Sequence, residues 1–134
     1  MLNKDFINDI NEVLVKRINP YLIYVFGSAA KGILREDSDI DIAFLSEESF
    51  SDYEIFMIAQ ELASNLNRDI DLIDLKKAST VFKAQIVGTG IKIYCTDETK
   101  RMYFEMRTLK EYALLNEERE IILKGIKERG SIYS

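Results

Sequence analysis

Two aspartates interrupt an apolar stretch of the chain. Asp39 and Asp41 flank Ile40 and are followed at once by apolar residues 42–44. Charges in such a run cost free energy unless a cation neutralises them. Residues two apart on a strand project to the same face, about 6.6 Å apart along the strand, so the two carboxylates project together. With oxygen ligands alone, this pair predicts a site for a hard ion, Mg²⁺ or Mn²⁺.

A Gly-Ser pair, Gly27 and Ser28, directly follows the apolar run YLIYVF at residues 21–26. A strand that ends in Gly-Ser and enters a short helix exposes backbone N–H groups, which form a natural phosphate site. Glycine lets the backbone approach a phosphate closely, and the Ser28 hydroxyl adds a donor. The chain has no G-x-x-x-x-G-K-[ST], so this is not a P-loop. Together with the aspartates, the pair predicts a metal–nucleotide site.

A third carboxylate is needed if two metals assist the transfer of a phosphoryl or nucleotidyl group, because one metal must activate the attacking hydroxyl. The segment NRDIDLIDL offers Asp69, Asp71 and Asp74. Asp69 and Asp71 share one face of a strand, and Asp74 lies on the other. We expect Asp71 to be the ligand, because it lies deeper in the apolar run, where an unpaired charge is costly. Asp69 and Asp74 fit surface or turn positions.

Composition narrows the chemistry further. The 134 residues include no histidine and one cysteine, which excludes Ser-His-Asp or Cys-His catalysis, a Cys/His zinc site and an internal disulfide. Cys95 is expected to be a buried strand residue. The net charge of −5 and the absence of a basic cluster argue against long nucleic acid as a partner. No run approaches the roughly 20 apolar residues of a membrane span, and the N-terminus does not resemble a signal peptide, so a cytoplasmic location is expected.

Strands alternating with helices predict an α/β layer structure in a single domain. The core covers about residues 1–96, and a helical segment covers about 97–129. The first helix is predicted from about Phe6 until Pro20, and the second at residues 51–67, where Ser51 and Glu54 form a capping box. A third helix is predicted at 78–90, stopped by Gly88 and Gly90. The last begins at residue 97 and has one break near Asn116. Strands are predicted at residues 21–26, 39–45, 68–75 and 91–95. A helical turn at residues 29–31, closed by Gly32, and a polar turn at 35–38 connect the first two strands.

The quoted segments resemble a known family. GSAAKGILREDSDID has Gly-Ser, ten residues and Asp-x-Asp, which is similar to the signature of the polymerase-β-like nucleotidyltransferase superfamily. More narrowly, FGS, SDIDIA, and DIDLIDL followed by KKASTVFKAQIVGTGIKIY resemble the minimal nucleotidyltransferase (MNT) antitoxins of the MntA type, which are paired with HEPN-domain (HepT) toxins. The resemblance covers residues 21–94 well and the C-terminal helix more loosely.

This resemblance implies a nucleotidyltransferase palm, a small mixed sheet flanked by helices with a long C-terminal helix. It also implies a protein adenylyltransferase that moves AMP from Mg-ATP, with two Mg²⁺ or Mn²⁺ ions, to a tyrosine hydroxyl of a HEPN RNase toxin in a type VII-like toxin–antitoxin pair. Pyrophosphate is released and the toxin is neutralised. The implied residues are Gly27 and Ser28 at the nucleotide phosphates and Asp39, Asp41 and Asp71 at the metals. Lys31 and Arg35 are expected to be solvated, and a phosphate contact is the alternative, because family members often carry arginine where Lys31 stands.

Two alternatives remain open. The first is nucleotidyl transfer to a small-molecule hydroxyl, although such enzymes generally need an additional acceptor domain. The second is an antitoxin that neutralises its toxin by binding alone, which the intact Gly-Ser pair and three aspartates argue against. A template-directed polymerase is excluded by size and acidity.

The long C-terminal segment carries a broad apolar stripe, and exposed stripes of this kind usually mark interaction surfaces. We expect Ile121, Ile122 and Ile126 to dock the toxin and to hold its tyrosine near Asp71. The alternative is that the helix folds back and completes the core.

Overall fold

The structure, a computed structural model, describes residues 3–32 and 39–133, with side chains through residue 128. Its four strands form one sheet in the order β3-β2-β1-β4, in which β2 and β3 are parallel and the other pairs are antiparallel. The predicted α/β class and mixed sheet are therefore confirmed. The elements are α1 (Lys4–Ile18), β1 (Pro20–Phe26), β2 (Ile40–Ser46), α2 (Asp52–Leu66), β3 (Ile70–Asp74), a 3-10 turn (Leu75–Lys77), α3 (Thr80–Thr89), β4 (Ile91–Cys95) and α4 (Glu98–Tyr133).

Helices cover both faces of the sheet. Alternate residues of β2 face opposite sides, so Ile40, Ile42 and Phe44 pack with α1 and α2, whereas Ala43 and Leu45 pack on the side of α3 and α4. This explains why β2 is a nearly continuous apolar run. Asp41 has the same parity as Ala43, so its side chain belongs to the α3/α4 side of the sheet.

The ends of the helices have local causes. Asn19, in the left-handed conformation, caps α1, and Pro20 begins β1. The predicted capping box is present at α2, where Ser51 and Glu54 satisfy each other's backbone N–H groups. The expectation that Gly88 stops α3 is wrong, because the helix continues to Thr89 and is capped at Gly90. A glycine inside a helix costs only about 1 kcal/mol, which packing can offset.

The last helix is longer than predicted and is not interrupted. It spans Glu98–Tyr133, and the expected break near Asn116 is absent. An isolated asparagine costs a helix less than about 1 kcal/mol, and the neighbouring Leu, Glu and Arg residues favour helix. Cys95 lies in β4 as predicted but is only partly buried. No helix in the described part of the chain is long and apolar enough to cross a bilayer.

Candidate active site

The Gly-Ser pair and the Asp-x-Asp pair lie at the same end of the sheet. Gly27 and Ser28 follow β1 directly, and Phe26, the last residue of that strand, pairs with Asp41 on antiparallel β2. Asp39 precedes β2 by one residue. The antiparallel pairing of β1 and β2 therefore brings together two motifs that are ten residues apart in sequence.

The third predicted carboxylate is on the neighbouring strand. Asp41 and Asp71 are register partners in the parallel β2–β3 pair. Paired residues on adjacent strands project to the same face, with the strands about 4.8 Å apart. Asp71 is exposed on the edge strand, so the expectation that it lies deep in an apolar environment is wrong. Its position beside Asp41 is what makes it a candidate ligand.

Asp41 is influenced by the charges of both neighbouring aspartates. The pKa of Asp41 is raised from its ordinary value, first by partial burial and then by the negative charges of Asp71 and Asp39. A bound cation would reverse the effect of both causes, because it would replace lost hydration and neutralise the neighbouring charges. The group therefore has the electrostatic character of a cation site.

The donor set is suited to a hard divalent ion, because it consists of carboxylate oxygens alone. Within residues 3–32 and 39–133, no three acidic or cysteine side chains are already placed to hold an ion together. The three aspartates are nevertheless neighbours at one end of β2 and β3. Asp39, Asp41 and Asp71 fit a Mg²⁺ or Mn²⁺ site in chemistry and in placement on the sheet.

Gly27 packs directly against the candidate metal ligand. Its φ is +67°, a conformation that L side chains rarely adopt. A Cβ at this position would lie 2.3 Å from Asp41 Oδ2 and 3.3 Å from Asp41 Cγ. Sequence reasoning assigned this glycine to phosphate approach alone. The structure adds a second reason for it, namely room for the Asp41 carboxylate.

The segment after Ser28 is a set of turns rather than a helix. The Lys31 N–H donates to the Gly27 carbonyl at 3.2 Å, and the Gly32 N–H donates to the Ala29 carbonyl at 3.3 Å. The N–H groups of residues 28–30 donate to no backbone acceptor among the described residues, as expected of a turn that binds an anion. The predicted helical turn is therefore partly right. Lys31 is exposed, and Arg35 lies outside the described residues.

The two other acidic residues of the third strand have separate positions. Asp69 is exposed, and its carbonyl accepts a 2.9 Å hydrogen bond from the Ile40 N–H. Asp74 is buried and caps the 3-10 turn, because its carboxylate accepts from the Lys76 N–H at 3.0 Å. The expected turn role for Asp74 is thus confirmed, whereas a surface position is not.

Sequence reasoning missed a groove that opens beside Asp71. It has a volume of about 390 Å³ and runs along the free edge of β3, between that strand and α2. Asp71, Phe56 and Lys77 are among its lining residues. Only strand order could reveal it, because the groove exists where β3 has no neighbour on its outer side in the described part of the chain.

Comparisons with known proteins show the family to which the chain belongs. A profile of the family described as polymerase beta, nucleotidyltransferase matches residues 8–99. The chain is 38% identical over 105 residues to the protein adenylyltransferase MntA of Shewanella oneidensis, covering 78% of this chain and 75% of the relative.

Solved structures are similar over nearly the whole chain. A toxin–antitoxin complex with AMP-PNP gives a TM-score of 0.80 at 36% identity, covering 90% of this chain and 97% of the other. An MNT antitoxin in complex with the tri-AMPylated Shewanella oneidensis HEPN toxin gives 0.78 at 33% identity, covering 93% and 98%. A MntA–HepT complex gives 0.77 at 34% identity, covering 92% and 98%.

Proposed function

Because the chain belongs to the polymerase-β nucleotidyltransferase family, we propose that it is an antitoxin that transfers AMP from Mg-ATP to a tyrosine hydroxyl of a HEPN toxin. The observation that carries the proposal is the meeting of the Gly27–Ser28 turn with Asp39, Asp41 and Asp71 at one end of the sheet. The similarity to an antitoxin solved with its tri-AMPylated HEPN toxin supports the choice of acceptor.

Asp39, Asp41 and Asp71 would hold two Mg²⁺ ions, or Mn²⁺ in their place. When bound, such ions lower the pKa of the acceptor hydroxyl and stabilise charge on the transferred phosphate. Asp41 lies centrally among these residues, between Asp71 on the next strand and Asp39 two residues earlier. Gly27 keeps the position of the Asp41 carboxylate open.

The turn after β1 would bind the nucleotide. The N–H groups of residues 28–30 and the Ser28 hydroxyl donate to phosphate oxygens, which orients the α-phosphorus toward the carboxylates. The acceptor oxygen then attacks the α-phosphorus, the bond to the bridging oxygen of the β-phosphate breaks, and pyrophosphate leaves. The tyrosine proton passes to solvent.

A neutralisation mechanism by binding alone is less well supported. Partial burial, and then the negative charges of Asp71 and Asp39, raise the pKa of Asp41, so its ionised form is disfavoured in the free protein. A site that only needed to bind a toxin has no use for such an arrangement. Transfer to a small molecule lacks a comparable observation, whereas an AMPylated protein acceptor is present in a related complex.

The test is AMP transfer to a candidate HEPN-domain toxin from the genome that encodes this chain. The purified toxin is incubated with the chain, ATP and Mg²⁺, and intact mass spectrometry counts the AMP groups added. We expect addition by the wild type and none by Asp41→Asn. Absence of AMP on the toxin with the wild type would overturn the proposed activity, and undiminished addition by Asp41→Asn would overturn the assignment of the site.

A further inference from the structure

Contacts at the start of α4 fix its direction over the sheet. Lys100 lies over the Tyr21 ring, with Nζ 5.1 Å from the ring centroid. Five residues later, Glu105 accepts a 2.5 Å hydrogen bond from the Tyr24 hydroxyl. Tyr21 and Tyr24 follow in this order along β1, which ends at Phe26, directly before Gly27. The helix therefore runs in the same direction as β1, toward the end of the sheet that carries the candidate active site.

The helix is much longer than the strand it follows. Its 36 residues span about 54 Å, whereas the seven residues of β1 span about 23 Å. Glu105, the eighth residue of the helix, is already opposite Tyr24, near the end of the strand. Residues 116–128, which we call the α4 arm, therefore project past the active-site end of the sheet. Every side chain of the arm is exposed, and Gly125 alone is partly covered.

The arm continues the apolar face that packs on the domain. In the first half of α4, Phe104 packs against the core and Thr108 is buried. Ile122 and Ile126 follow these two residues by 18 positions, which is five turns of an α-helix, so they point to the same side. They are 59% and 52% exposed. In the first half of α4 this helix face packs against the core of the domain. In the arm, no described residue covers the same face.

We propose that Ile122 and Ile126, the arm stripe, dock the HEPN toxin and hold its acceptor tyrosine over the Gly27–Ser28 turn. This rests on the proposed function. A protein seated on the inner side of the arm would lie at the end of the sheet that carries the turn and Asp41, which is the end that an acceptor must approach. A second copy of this chain is disfavoured there, because it carries a net charge of −5 and would face an acidic site.

Ile121 provides a matched control within the same helix. It is 72% exposed, yet it lies about 100° around the helix from Ile122 and therefore off the arm stripe. The structure thus separates Ile121 from the two residues with which sequence reasoning grouped it. Ile121→Glu introduces the same charge as Ile122→Glu at nearly the same position along the helix axis.

The experiment measures the affinity of residues 1–134 for the same HEPN-domain toxin that accepts AMP in the transfer assay. We expect the Ile122→Glu/Ile126→Glu variant to raise the Kd about 100-fold, because it removes two aliphatic side chains that would be buried against the toxin in the complex. Ile121→Glu should change the Kd by less than about threefold, since it lies off the stripe. Affinity for ATP and the thermal unfolding midpoint should be unchanged in both variants, because the arm side chains are exposed in the free chain.

Kinetics separate docking from chemistry. The double variant should raise the KM for toxin and keep kcat, whereas Asp41→Asn should lose kcat and keep toxin affinity. Normal toxin affinity in the double variant would overturn the docking proposal while leaving the transferase activity intact. Equal losses from Ile121→Glu and Ile122→Glu would also overturn it. Light scattering on the chain alone tests whether the arm stripe instead binds a second copy of the chain. If the wild type is a dimer, the double variant is a monomer and toxin binding is unaffected, the stripe is a dimer interface and the docking proposal is wrong.

Discussion

Replacement of Gly27 by alanine tests the geometry of the site most directly. The backbone at Gly27 has φ +67°, and a non-glycine residue in this region costs about 1–2 kcal/mol. For a chain of this length, such a loss lowers the thermal midpoint by about 3–8 °C. The variant should therefore still fold.

The effect on catalysis should be much larger than the effect on stability. The new Cβ would lie 2.3 Å from Asp41 Oδ2, and ordinary contact begins at 3.4 Å, so the carboxylate must move by about 1 Å. A misplacement of that size in a catalytic group can cost about 100-fold in rate. We expect AMP transfer to fall by about 100-fold in Gly27→Ala, and further in Gly27→Val.

Gly32→Ala is the matched control, because Gly32 has φ +73° but no atom within 4 Å of its would-be Cβ. It should show a similar loss of stability with transfer reduced by less than about tenfold. Ser28→Ala should also cost less than Gly27→Ala, because it removes one donor worth about 0.5–1.5 kcal/mol, or up to about 3 kcal/mol if the bond is charge-assisted.

Single-turnover transfer of AMP to the toxin at saturating ATP, followed by mass spectrometry, measures the rate. Thermal melts of the same preparations measure stability. Equal losses of activity in Gly27→Ala and Gly32→Ala would refute the reasoning, because backbone strain rather than contact with Asp41 would then be the cause. Activity within threefold of wild type in Gly27→Ala would refute it as well.

Further perturbations test the charges. Asp41→Asn should abolish transfer without lowering the thermal midpoint in the absence of Mg²⁺, because it removes a partly buried charge whose pKa is raised; a large fall in the midpoint would contradict this. Asp71→Asn should severely impair transfer and bring the Asp41 pKa down toward its ordinary value, as measured by NMR titration without metal. Calorimetry should show ATP binding that requires Mg²⁺ or Mn²⁺ and is indifferent to a zinc chelator, and equal affinity with and without Mg²⁺ would exclude the carboxylate site. Glu98 tests the anchoring of α4. Hydrogen bonds from Lys92 and Arg101 lower the pKa of Glu98 to about 2, compared with about 4.5 in the unfolded chain. The stabilisation by ionised Glu98 is therefore complete above pH 4.5 and is lost as the pH falls toward 2. Glu98→Gln should flatten that part of the stability–pH curve in urea melts, and an unchanged curve would show that the pairs contribute nothing.

The family and the residues of the candidate site could be predicted from the sequence because their signals are local. A buried strand followed by Gly-Ser, and a second strand that opens with Asp-x-Asp, need only the twofold period of a strand and the spacing between them. The capping box at Ser51 and Glu54 is equally local, and it marked the start of α2 correctly.

Features that depend on strand neighbours could not be read in the same way. The pairing of Asp71 with Asp41 joins residues 30 positions apart, and it depends on the parallel register of β2 and β3. Sequence reasoning chose Asp71 for its apparent depth, whereas the structure places it on an exposed edge beside a groove. The contact between Gly27 and Asp41 likewise exists only because β1 and β2 pair in one register.

The last helix most clearly separates what the sequence predicts from what tertiary contacts decide. Its apolar residues predicted a helix and an interaction surface, but they are spread around the axis, so periodicity did not separate the buried face from the exposed ones. The anchoring contacts with Tyr21 and Tyr24 decide which side faces the sheet and in which direction the helix runs. The sequence by itself determined that a helix with exposed apolar residues follows β4. Tertiary packing decided that its arm projects past the active site, because the direction of a helix over a sheet is set by contacts between residues far apart in the chain.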